Sequence, residues 1–161
     1  MIAAFVAITR FTSHLAKAFL LLLVLLQFAV VIMRYVFGVN FLWVQEAVLA
    51  AHGAIFMLAA GWTLVVGKHV AIDVFTARAS DRRRKIIAKV GFVFLLLPMM
   101  AAIIITSASY VGESWRVLEG SQEVSGLPGV FILKSLVPVF AVLMIVAGVA
   151  TFLRKTATDL T

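Results

Sequence analysis

Four apolar runs dominate this 161-residue chain, each as long as the roughly 20 residues a helix needs to cross a bilayer. They extend from about Leu15 to Tyr35, Leu42 to Val66, Ile86 to Val111 and Val130 to Leu153. A segment surrounded by hydrocarbon must satisfy its own backbone hydrogen bonds, and none of the four shows the alternation of a barrel strand, so each reads as a helix. Composition agrees: 64% of residues are hydrophobic and 13% charged, whereas soluble domains hold about 45–50% and about 25%. The expected fold is an all-α membrane protein, one integral domain over residues 1–161 with four transmembrane helices.

Ahead of the first run, Phe5, Ile8 and Phe11 fall near one side of a helix, with Thr9, Arg10 and Ser13 on another. This pattern predicts an interfacial amphipathic arm over residues 1–14, lying on the membrane surface; a simple extension of the first span is the alternative. A cleaved signal would place its basic residues before its apolar core, but Arg10 and Lys17 come after the first apolar residues.

The formal charge is +7, from 14 Lys and Arg against 7 Asp and Glu. Those charges lie between the apolar runs. Arg10, Lys17, Lys68, Arg78, the run Arg82–Arg83–Arg84–Lys85, Lys89, Arg154 and Lys155 would share one side of the membrane, leaving Arg34, Arg116 and Lys134 on the other. By the positive-inside rule both termini and the 67–85 connection are expected in the cytoplasm. Without interleaved aromatic residues the basic run does not suggest nucleic acid. It reads as a topology signal contacting anionic lipids through Arg82, Arg83, Arg84 and Lys85.

Polar groups within spans are costly and therefore informative. Arg34 ends the first helix and Glu46 lies near the start of the second, across a short connection containing Gly38. As antiparallel neighbours they would lie at similar depth, where an ion pair would offset part of their desolvation. A snorkelling Arg34 with a solvated Glu46 is the other arrangement. Trp43 and Trp115 suit interfacial anchors. Ala50, Gly53, Ala54, Ala60 and Gly61 form a stripe that would let another helix approach the second span closely. His52, on a neighbouring side, reads as hydrogen-bonded at a helix contact. Pro98 and Pro138 fall inside spans and could kink them.

The chemistry-bearing patterns are absent. With no cysteine there is no thiolate site. The chain also lacks a phosphate loop, a GxSxG or HExxH motif, and a carboxylate cluster within a span. No catalytic residue, metal or cofactor is expected. A haem-bearing electron-transfer subunit would need two facing histidines, while His14 and His69 lie at or beyond span ends on the cytoplasmic side, away from His52. A standalone multidrug-type carrier using Glu46 would place its acid deeper in the membrane.

The order Arg34-Tyr35-Val36-Phe37-Gly38, Trp43-Val44-Gln45-Glu46 and Gly67-Lys68-His69-Val70-Ala71-Ile72-Asp73, then Gly126-Leu127-Pro128-Gly129 and Pro138, resembles the small membrane subunit of tripartite ATP-independent periplasmic (TRAP) transporters, the DctQ-like component. The resemblance implies a scaffold for a large membrane subunit. That larger protein would use a sodium gradient to take up an organic acid or related solute delivered by a periplasmic binding protein. It also implies structural or subunit-contact roles for Arg34, Gly38, Trp43, Glu46, Gly53, His69, Asp73, Pro128 and Pro138, and residence in the bacterial inner membrane.

Overall fold

The fold is a computed structural model that describes residues 2–68 and 80–158. Its helices are α1 (Ile2–Tyr35), α2 (Leu42–Val65), α3 (Asp81–Gly91), α4 (Leu97–Arg116) and α5 (Val130–Thr158). A single π-helical turn, Phe92–Leu96, joins α3 to α4 without a break. Among the described residues four helical stretches are long and apolar enough to cross a membrane: Ala3–Tyr35, Leu42–Val65, Arg82–Arg116 and Val130–Leu153. The protein is a four-span helical membrane protein, as the apolar runs require.

Residues 2–14 do not form a separate arm but continue the helix of the first span. From Ile2 to Tyr35 the helix is continuous over 34 residues, or about 51 Å at 1.5 Å per residue. No glycine or proline interrupts it. Thr9, Ser13 and Ala16, spaced to share one face, are all buried. Packing therefore draws the first turns into the bundle, with the Thr9 hydroxyl satisfied by the Val6 carbonyl at 3.0 Å. The same small-residue face that suggested a polar side of a surface helix is the face that packs.

Helix α5 occupies the centre, contacting α1, α2 and α4. One third of its most apolar window is buried, against 6% for α1 and 11% for α2; the other spans turn most of their surface outward. Ala141, Ala147 and Ala150 are essentially inaccessible. Small residues at these positions let neighbouring backbones come close, which is how helices associate in lipid. One cluster joins Ala16, Leu58 and Leu143 across α1, α2 and α5, and another joins Met100, Ala141 and Met144 across α4 and α5. The total accessible surface, 11068 Å², exceeds the roughly 7,900 Å² expected of a water-soluble monomer of 17.5 kDa. An open bundle of this kind leaves apolar surface for lipid or for another protein.

Helix ends and kinks follow local chemistry. Gly67 has φ +69°, and the next amide, Lys68 N–H, donates to the Thr63 carbonyl at 2.9 Å; this is the Schellman closure that favours glycine. The wide turn at Phe92–Leu96 immediately precedes Pro98, whose ring withdraws an N–H from the helix and crowds the carbonyl four residues earlier. There the Leu97 N–H reaches back to the Phe92 carbonyl.

The stripe on α2 divides into two parts. Gly61 is buried, and a Cβ there would stand 3.2 Å from the Leu143 carbonyl oxygen and 3.4 Å from the Thr9 methyl, while a Cβ on Gly53 would meet nothing within 4 Å. Gly61→Val should therefore destabilise the bundle by about 1–3 kcal/mol, and Gly53→Val should leave the purified chain's thermal midpoint unchanged. Equal losses in a detergent melt would show that the close approach at Gly61 is not what locks α1, α2 and α5 together.

Candidate functional site

Side-chain hydrogen bonds that reach across the fold gather at one end of the bundle, where residues 36–41 join α1 to α2 and residues 117–129 join α4 to α5. Two side-chain assemblies order this end. In the first, both oxygens of Glu46 on α2 accept hydrogen bonds from the longer loop. Ser121 Oγ donates to Oε1 and the Leu127 backbone N–H donates to Oε2, both at 2.6 Å. The loop is closed on itself beneath the carboxylate: Ser121 N–H donates to the Leu127 carbonyl, and Gly126 N–H to that of Glu123. No side chain fits at Gly126, where a Cβ would lie 2.3 Å from the Ser121 side chain and 2.8 Å from Glu46 Oε2. Pro128 packs its Cα against Gly120, 3.5 Å from where a Cβ would stand.

The second assembly joins α4 to α5. Lys134 donates to Glu119 at 2.5 Å, and its ammonium sits 4.0 Å from the centroid of the Tyr110 ring. Nearby, Trp115 Nε1 donates to Ser135 Oγ at 2.8 Å, and its ring meets Phe131 edge-on at 4.7 Å. Leu118, in the left-handed region at φ +47°, ends α4 and turns Glu119 toward Lys134; its N–H donates to Trp115, while Glu119 N–H donates to Ser114. The Lys134 ammonium holds the Glu119 carboxyl below the usual carboxylate range.

This end is one of hydrogen-bond donors, acceptors and aromatic rings arranged to fix a loop. Among the described residues no three His, Cys, Asp or Glu side chains gather as a metal site.

Residues 23–158 match the family of tripartite ATP-independent periplasmic transporters, DctQ component. The chain belongs to the DctQ family. No curated protein and no solved structure gives a match.

Against that identity, the residues singled out in the DctQ chain fall into distinct places. Arg34 is exposed at the end of α1 and forms no ion pair with Glu46, whose two oxygens accept from the 117–129 loop instead. Gly38 takes φ +66° in the short connection, and Gln45 Nε2 donates to Asn40 Oδ1 beside it. Trp43 is half exposed, as an interfacial ring would be. Pro138 lies inside α5. His52 is exposed and makes no hydrogen bond among the described residues; its ring instead lies 5.0 Å from that of Phe56. His69 and Asp73 lie outside the described residues, as does the Lys85 side chain, while Arg82, Arg83 and Arg84 are exposed at the start of α3. Sequence reasoning missed Ser121, Glu119 and Lys134 as partners. A lysine four residues into an apolar span was the available signal for the last of these.

Two outcomes test this end of the molecule. Glu46→Ala should raise amide exchange at Leu127 about tenfold, the value of one hydrogen bond of ordinary net strength. Ser121→Ala should couple to that change in a double-mutant cycle and Arg34→Ala should not; the reverse would restore the Arg34 pairing.

For Glu119 the sign follows from its lowered folded-state value. The tie to Lys134 is fully present above the ordinary carboxylate pKa of about 4.3 and is lost as pH falls through the lower folded value. In a chain with Trp43 and Trp62 replaced by Phe, Trp115 emission should hold steady from about pH 8 to about pH 5 and change below about pH 4. Glu119→Gln should remove that step, and a transition centred near neutrality would refute the assignment.

Proposed function

We propose that this DctQ-family chain braces the large membrane subunit of a TRAP transporter in the bacterial inner membrane, with both termini in the cytoplasm. In this reading the larger protein carries the sodium-driven uptake of an organic acid or related solute, and a periplasmic binding protein delivers that solute. The basic residues Arg82 to Lys85 face the cytoplasm and contact anionic headgroups, and the 117–129 loop lies on the periplasmic side.

The observation that carries this reading is the commitment of Glu46. A carrier needs an acid that is free to exchange cations or protons near the membrane centre. Here the carboxylate sits on the fifth residue of α2, and both oxygens are held by the chain's own loop. That use as a tie favours a scaffold over a standalone carrier. The rest of the chain offers what a scaffold needs: long apolar helices, exposed apolar surface and rings at the span ends.

Reconstituted alone in proteoliposomes with a sodium gradient, the chain should move no organic acid, with or without the binding protein. Co-reconstitution with the large subunit should restore uptake, and the large subunit by itself should be inactive or unstable. Single cysteines replacing Ser80 and Gln122, both exposed, should label from the cytoplasm and the periplasm respectively. Uptake by the small chain alone, or labelling of Ser80 in intact cells, would overturn the reading.

A further inference from the structure

Between α1 and α2 a groove of about 590 Å³ opens to the outside of the bundle, and Gln27 and His52 both line it. Counting from the loop-end termini of their helices, Gln27 lies eight residues below Tyr35 and His52 ten below Leu42, or about 12 and 15 Å at 1.5 Å per residue. Both are at mid-depth in the membrane-spanning stretches. Both are exposed, and neither makes a hydrogen bond among the described residues. Lipid tails offer nothing to either side chain, and an unsatisfied polar group in hydrocarbon is unfavourable. Around this pair α2 presents a notch between two knobs: Leu49 and Phe56 are 72% and 66% exposed, and Gly53 between them has open space where a Cβ would be.

A small residue flanked by large ones, beside polar groups that lack partners, is the surface one helix offers another in lipid. We propose that this α1–α2 groove seats a transmembrane helix of the large subunit, whose polar side chains or unwound backbone at the same depth hydrogen-bond Gln27 and His52. The proposal rests on the scaffold reading and adds which face meets the partner. A lipid occupant leaves the two polar groups unanswered. A symmetric pair of this chain would set Gln27 and His52 against their own copies, an occupant that the crosslinks below distinguish from the large subunit.

The test uses the small and large subunits co-expressed with the binding protein. A photo-crosslinking residue replaces Leu49, or, as a control at similar depth on the opposite flank, Ile105, which is 73% exposed on α4. Leu49 should join to the large subunit and Ile105 should not. His52→Leu and Gly53→Val should each weaken retention of the large subunit on the tagged small one about three- to tenfold, while leaving the small chain's own melting unchanged. Crosslinks from Leu49 to a second small subunit or to lipid alone, with copurification intact, would overturn the face assignment and leave the scaffold reading standing. Failure of the unmodified subunits to copurify would overturn both.

Discussion

The small-residue spine of α5 is the constraint on which the bundle depends. Lipid tails are as apolar as leucine, so helices gain nothing by hiding apolar surface from them and must associate through close packing. Ala141, Ala147 and Ala150 let α1, α2 and α4 gather on a single helix. Gly61 completes the approach from the facing side, bringing α2 against the Leu143 carbonyl. Everything at the loop end inherits its position from that contact, because Glu46 is carried on α2 and Lys134 on α5.

The ties at the loop end divide the work by chemistry. The Glu46 carboxylate accepts from a hydroxyl and a backbone amide, holding the 117–129 loop across the top of α2. Lys134 and Glu119 close the other flank with opposite charges, supported by the Tyr110 and Trp115 rings. Charge-assisted hydrogen bonds are stronger than neutral ones, and two such ties on different helices restrict a loop far more than either alone. A loop held in this way suits a subunit that presents a fixed surface.

The spans were legible from the amino-acid sequence because length and apolarity are local properties, read without knowing any partner. The second span was expected to end at Val66 and its helix ends at Val65. The continuity of α1 was not legible: the side holding Thr9 and Ser13 could face either headgroups or a neighbouring helix, and only the position of Gly61 decides between them. The partner of Glu46 was hidden for a different reason. Arg34 was the nearest opposite charge in sequence, but the donors that reach the carboxylate lie 75 and 81 residues away, and one is a backbone N–H that carries no side-chain signature. Gly53 and Gly61 looked equivalent by spacing, and differ only because one of them is in register with α5.

The central place of α5 also bears on how the chain is made. This helix follows the other three described spans in the chain, so α1, α2 and α4 are made before the helix that gathers them. During that interval Gly61 has no carbonyl to pack against, and Glu46 waits at the membrane surface without Leu127. Until α5 arrives, α1 and α2 can pair with each other, and α4 waits for that helix to join it to them. The clusters that join α1 and α2 to α5, and α4 to α5, form only once the residues from Val130 onward have been made.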